Sequence, residues 1–195
     1  IVLSLFAGLD VGARVLDALK VEIVMHAIWE TCPSARAVAA ERFPDAHIFG
    51  DVFCTDKGPL AFLRGLDPLK HFASAKLFIF AGPPCPDFSR VRGHLAPGPS
   101  GTEGSKCVRV LDIFDSISEE FGHFEFVVEN VIMKKVWCDT FSKRLKVAPI
   151  ILDAADISVV SRPRFWWVSF PLPPASLKHN KLPKLAIKGL WHPRC

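Results

Sequence analysis

Val2-Leu3-Ser4-Leu5-Phe6, running into Ala7-Gly8-Leu9-Asp10-Val11-Gly12, is the stretch whose reading decides the fold. An apolar run of strand length stops at a glycine and reopens as a helix in which Val11, Val15, Leu16 and Leu19 recur at helical spacing. The same alternation continues down the chain. Residues 21–28 read as a second strand ending at Trp29-Glu30, Pro33 suits the first turn of a helix to about residue 43, and residues 47–49 form a short strand before Gly50-Asp51-Val52. Residues 77–81 are a buried strand, 106–121 an amphipathic helix with Val110, Ile113, Phe114 and Ile117 on one face, and 124–128 a strand closing on Glu129-Asn130-Val131. A helix over 133–145 and strands at 150–152 and 165–168 complete the series, the last two joined through residues 153–164. Strands alternating with helices predict an α/β fold with a mostly parallel sheet covered on both faces. In such sheets, ligands bind at the carboxyl ends of the strands, where each candidate residue below falls.

The strand over 77–81 feeds Gly82-Pro83-Pro84-Cys85-Pro86-Asp87-Phe88-Ser89. Each proline fixes its own φ and holds the preceding residue extended, so Cys85 sits on a stiff loop. A buried apolar cysteine is the commoner fate of a lone thiol. The proline frame and the polar Asp87 and Ser89 favour a functional one. Residues 91–104 are rich in glycine, proline and serine, show no periodicity, and predict a mobile loop.

A glycine turn after the first strand and an acid at the end of the second form the layout of an adenosine-cofactor site. Glu30 stands at the spacing from Gly8 expected of a carboxylate gripping ribose hydroxyls. The turn departs from G-x-G-x-x-G, with Asp10 at the second glycine position and Ala13 at the third. A carboxylate there would repel a pyrophosphate. A cofactor with a cationic end fits better, which points to S-adenosylmethionine and against a nicotinamide-dependent oxidoreductase. Asp51, after the third strand, is placed to accept a hydrogen bond from an adenine amino group. Ordinary solvated caps explain Glu30 or Asp51 taken singly.

Composition sets the outer bounds. The 195 residues, half of them hydrophobic and 23% charged, suit one globular core. No apolar run is long enough to span a bilayer, and the first residues lack the basic flank of a signal peptide, so no membrane partner is expected. The chain begins at isoleucine, which predicts a piece of something longer. Six scattered cysteines without a C-x-x-C pair, and seven dispersed histidines, argue against a disulfide scaffold or a metal site and for a reducing, intracellular home. The net charge is +4, yet Asp156 is the last acidic residue, and seven lysines and arginines follow it. The earlier part is therefore net negative. A basic end suits a polyanion such as nucleic acid and equally suits a solvated tail.

Four short motifs in order give the chain a family likeness: Phe6-Ala7-Gly8, Gly82-Pro83-Pro84-Cys85, Glu129-Asn130-Val131 and Arg162-Pro163-Arg164. In these the sequence resembles the cytosine-C5 methyltransferases of nucleic acid. The stretches from Ile150 to Ala154 and from Arg164 to Trp167 are most like the animal de novo DNA methyltransferase branch. The resemblance covers the chain from Ile1 to about Trp167. It implies the S-adenosylmethionine-dependent methyltransferase (Rossmann-like) fold, a seven-stranded sheet with an antiparallel last strand pair. Its domain division would be a catalytic domain over 1–169 and a basic tail over 170–195.

The activity implied is methyl transfer from S-adenosylmethionine to C5 of cytosine, in DNA ahead of RNA, with the base flipped out of the duplex. By resemblance Cys85 is the nucleophile that adds to C6. Glu129 would hydrogen-bond or protonate N3, Arg164 would hold the base O2, and Arg162 would support Glu129 or a nearby phosphate. Arginines two apart on a strand point the same way, so both can face one site. Cofactor contacts are implied for Phe6, Gly8, Leu9, Asp10, Glu30, Asp51, Val52 and Pro83, and substrate contacts for Ser89, Arg90 and Asn130. The loop over 91–104 matches the family's catalytic loop.

Pro86 stands where most relatives carry glutamine or asparagine, and Ser161 before the arginine pair is also atypical. Neither a target-recognition region nor the family's final cofactor motif is found after Trp167. Target recognition is then expected from a further segment or a partner chain. Two rival readings remain, a tRNA-directed relative and an inactive module that binds cofactor or nucleic acid. Localisation follows the family, in the nucleus of a eukaryote and otherwise in the cytoplasm.

Overall fold

A computed structural model describes residues 1–66, 75–89, 95–156 and 158–172. Arg90, most of the basic tail and part of the expected catalytic loop lie outside these residues. The elements alternate as the apolar runs predict: β1 (Val2–Leu5), α1 (Val11–Ala18), β2 (His26–Trp29), α2 (Pro33–Arg42), β3 (His47–Phe49), α3 (Pro59–Arg64), β4 (Phe78–Ala81), α4 (Thr102–Phe121), β5 (Glu125–Val131), α5 (Lys135–Leu145), β6 (Ile150–Asp153) and β7 (Pro163–Val168). They build one sheet in the order β3-β2-β1-β4-β5-β7-β6. Every pair is parallel except β5 with β7 and β6 with β7. The chain winds outward from β1 in both directions, so the crevice between β1 and β4 is the topological switch point.

The two faces are packed differently. On one, Leu3, Leu5, Ile79, Ala81, Phe126, Val128 and Trp167 meet Leu63 of α3, Cys107, Val110, Leu111, Phe114 and Ile117 of α4, and Phe141 and Leu145 of α5 in a continuous core. Trp167 is fully buried, and its indole N–H finds Ser142 Oγ at 2.9 Å. Trp29 likewise donates to the Lys57 carbonyl at 2.7 Å, so neither large ring carries an unsatisfied donor. On the other face lie α1 and α2, whose buried helical residues are Ala13 and Ala39.

The sheet is therefore not covered evenly on both faces. Val11, Val15 and Leu19, which recur at helical spacing, are 64%, 50% and 68% exposed. Val11 and Val15 line an open cavity beside the sheet instead of a packed core. Leu16 is half-buried.

Several boundaries also move. Residues 21–25 precede β2 rather than belonging to it, and β5 runs on through Glu129, Asn130 and Val131 because β7 pairs with them. Helix α4 begins at Thr102 instead of 106, since Asp87 supplies its cap: Oδ2 accepts the amides of Glu103 at 2.8 Å and Gly104 at 3.0 Å. The glycines just before it serve close packing. Residues Gly98–Ser100 form a 3₁₀ turn, and a Cβ on Gly104 would fall 1.8 Å from the Gly98 carbonyl oxygen. Helix α3 was not foreseen. Among the described residues no helix is long and apolar enough to cross a membrane.

Candidate active site

The site is built at the carboxyl ends of β1, β4 and β5, joined by the start of β7, which arrives there because it runs antiparallel. Its first part is the turn after β1. Phe6, Gly8 and Asp10 all take left-handed backbone conformations, with φ of 54°, 54° and 51°. Two of these are not glycine, and such conformations cost roughly 1 kcal/mol or more each, so the surrounding bonds must hold them. Glu30, at the end of β2, supplies two: Oε2 accepts the Gly8 amide and Oε1 the Cys32 amide, both at 2.7 Å. The Ala7 amide is held by the Trp29 carbonyl at 3.1 Å. A Cβ on Gly8 would meet nothing within 4 Å, so the turn is open on its outer side.

Asp10 does not face that opening. Its carboxylate is turned inward, where Oδ1 caps α1 at Ala13 and accepts the Ser4 hydroxyl at 2.8 Å. Contrary to the sequence expectation, the Asp10 charge does not face the cofactor side to select it: the group is 2% exposed and its carboxylate lies inside the protein. Asp51 is exposed, its Oδ1 accepting the Phe53 amide at 3.0 Å, while Val52 is buried in the core. Leu9 is half-exposed. A signal missed in the sequence is Phe53, whose ring lies edge-on to Phe6 at 5.8 Å and under the Arg109 guanidinium at 3.8 Å. Two aromatics, each following a strand end, were the available clue.

The second part is the cysteine loop. Asn130 is fully buried, with Nδ2 donating to the Pro83 carbonyl at 3.3 Å and Oδ1 accepting the Val131 amide at 2.8 Å. The expected substrate contact from Asn130 is thus replaced by a structural one, because β5 carries the residue inward beneath the loop. Cys107 of α4 donates its thiol to the Pro84 carbonyl at 3.2 Å. Burial pushes that thiol up to about 12, so it stays protonated and able to donate. Pro83 is buried, whereas Cys85 and Ser89 are only half-buried. Two thiols on neighbouring elements thus differ in access, and Cys85 is the one the loop leaves within reach.

The third part is a cross-strand pair. Glu129 lies opposite Trp166 in the β5–β7 ladder, so Arg164, two residues earlier, is its diagonal neighbour on the same face. Arg164 Nε is 2.8 Å from Glu129 Oε1. The support for Glu129 expected of Arg162 therefore comes from Arg164. Arg162 is exposed, precedes β7, and has its amide bonded to Asp153 Oδ1 at 2.6 Å, adding only a longer-range charge. Burial raises the Glu129 pKa above the ordinary carboxylate value, against the opposing pull of Arg164 and Arg162. Between the turn and this pair opens a largely apolar cavity of about 350 Å³, lined by Phe6, Ala7, Phe80, Gly82, Glu129 and Trp166 among others. A larger cavity, about 500 Å³, lies at the other end of β2 and β3 and touches none of the candidate residues.

No family model matches the sequence. The fold is similar to that of the Dnmt2 methyltransferase of S. pombe, with a TM-score of 0.58 and 17% identity over 88% of this chain and 50% of that one. A mutant of Spodoptera frugiperda DNMT2 gives a TM-score of 0.56 and 16% identity over 88% of this chain and 51% of its own. The chain spans about half the length of these structures. Together with the seven-stranded order, the likeness shows the Rossmann-like fold of S-adenosylmethionine-dependent methyltransferases.

Proposed function

We propose that this chain is the catalytic half of an S-adenosylmethionine-dependent cytosine-C5 methyltransferase acting on nucleic acid, with DNA as its substrate. The observation that carries the reading is a meeting at one sheet end: the half-buried Cys85 on its proline-framed loop, the Glu129–Arg164 pair, and the tethered turn at Phe6–Asp10. The residues fit the cofactor. Glu30 stands at the open rim for ribose hydroxyls, Asp51 is exposed for an adenine amino group, and the apolar cavity ends at the Glu129 carboxylate. When bound, S-adenosylmethionine supplies an electrophilic methyl group.

The residues divide the remaining work. Cys85, as thiolate, adds to C6 of a flipped cytosine and pushes the C5–C6 electron pair through C4 toward N3, making C5 an enamine-like nucleophile. Glu129 holds its proton to higher pH than an ordinary carboxylate and so serves N3 as that charge develops. Arg164 fixes the Glu129 carboxylate and holds the base O2. Once C5 carries the methyl group, a solvent water takes the C5 proton, the C5–H pair re-forms the C5–C6 double bond, and the C6–S bond breaks to release Cys85 as thiolate. The carry-over to the de novo DNA branch rests on the β6 and β7 residues from Ile150 to Ala154 and from Arg164 to Trp167.

The test is a 5-fluorocytosine oligonucleotide, in DNA and in RNA form, incubated with the protein and S-adenosylmethionine. A denaturant-stable adduct with DNA that disappears in Cys85→Ser is the expected result. An adduct with RNA alone moves the substrate to RNA. Cofactor binding without any adduct reduces the chain to a binding module.

A further inference from the structure

Three buried polar side chains meet behind the cofactor turn. Ser4 of β1, Asp10 of the turn and His26 of β2 are 1%, 2% and 7% exposed. Asp10 Oδ1 takes the Ser4 hydroxyl at 2.8 Å and the Ala13 amide at 3.4 Å. Asp10 Oδ2 lies 2.8 Å from His26 Nε2, a close electrostatic approach without hydrogen-bond alignment, and neither atom has another partner among the described residues. Phe43, edge-on to the His26 ring at 5.0 Å, closes the other side. A buried carboxylate is costly unless it is held on several sides, so this is an expensive way to fill a position where glycine would do. Placing Asp10 there also forces a left-handed backbone that glycine would adopt freely.

We propose that Ser4, Asp10 and His26 are positioning residues that hold the Phe6–Asp10 turn in its cofactor-ready shape and set cofactor affinity without taking part in methyl transfer. Two tethers hold the turn, one from Glu30 and one through Asp10. Glu30 holds Gly8 from the open side, with one oxygen on that amide and the other on Cys32. The same oxygens are the acceptors that ribose hydroxyls would use, so the outer tether has to be shared when cofactor arrives. Asp10 is closed off from that competition by burial. It ties the turn to β1, to β2 and to the first turn of α1 at once, which keeps the strained backbone in place while Glu30 changes partners.

Only the identity of the cofactor rests on the function proposed above. Asp10→Gly removes the carboxylate while suiting the backbone, and Asp10→Asn restores its size and the cap on α1. Calorimetric titration with S-adenosylmethionine is expected to show binding weakened roughly tenfold or more in Asp10→Gly, the scale of lost hydrogen bonds to a charged group, and largely recovered in Asp10→Asn. His26→Gln and Ser4→Ala should each weaken it by less. Cofactor KM should rise with kcat unchanged. In unliganded protein, amide exchange should quicken at residues 6–11 and stay unchanged across β4 and β5. Equal cofactor affinity in Asp10→Gly and wild type, or exchange that quickens evenly over the whole sheet, overturns the proposal. Wild-type protein that binds no S-adenosylmethionine overturns the proposed function instead, and the unliganded exchange pattern still decides the role of the three residues.

Discussion

The two faces of the sheet do different jobs. The face under α3, α4 and α5 is a dry core with Phe141, Ile117 and Trp167 at or near zero exposure. The face under α1 and α2 buries Val2, Ile28, two helical alanines and a polar trio, and opens over Val11, Val15, Phe80 and Trp166 into the cavity beside Glu129. The continuous core thus lies on one side of β1 and β4, and the cavity of the candidate site on the other. A sheet lets this happen because alternate residues of one strand serve opposite faces: Leu3 and Leu5 support the core while Ser4 holds the turn.

Substitutions can break or sharpen this contrast. The largest effect is expected from Phe141→Ala on the dry face, a loss of about 3–5 kcal/mol in denaturant unfolding, since the ring is buried against Phe88 and Trp167. A loss below about 1 kcal/mol would mean that face is loosely packed. Asp87→Ala removes the acceptor for two α4 amides and should cost roughly 1–2 kcal/mol, with Asp87→Asn milder. Glu129→Gln reads the cavity side. Its raised pKa means the folded state keeps the proton to higher pH than the unfolded chain. Stability from this group is fully present below the unfolded carboxylate value and is lost as pH rises through the raised one. The wild-type minus variant difference should therefore decline across that window, and a flat difference would show a solvated carboxylate. The smallest effect on stability is expected from Val15→Thr, half-exposed at the open cavity beside α1, within about 0.5 kcal/mol of wild type. A drop of about 2 kcal/mol would mean the stripe is covered after all.

Much of this was legible in the sequence, and the gaps have physical causes. Apolar runs separated by turn residues located the strands, because central parallel strands such as β1 and β2 are buried along their whole length. The strand-end positions of Cys85, Glu30 and Glu129 were legible because each closes or follows such a run. Helix α3, six residues long, is too short for periodicity to show. Spacing revealed that Val11, Val15 and Leu19 share a side, but whether anything covers that side is a tertiary fact. The direction of Asp10 depends on Ser4 and His26, which are distant in sequence. The partner of Glu129 depends on the β5–β7 register, which a motif reading of Arg162 and Arg164 does not contain.

The attachment of the cysteine loop to α4 carries a consequence for anyone wishing to move this chemistry elsewhere. Pro84 hangs from Cys107, and Asp87 is fastened to the helix's first amides. The graftable part is therefore not the eight-residue peptide Gly82–Ser89 around Cys85. It is that peptide together with the opening turns of the helix, and a graft of the peptide alone would deliver the thiol without its aim.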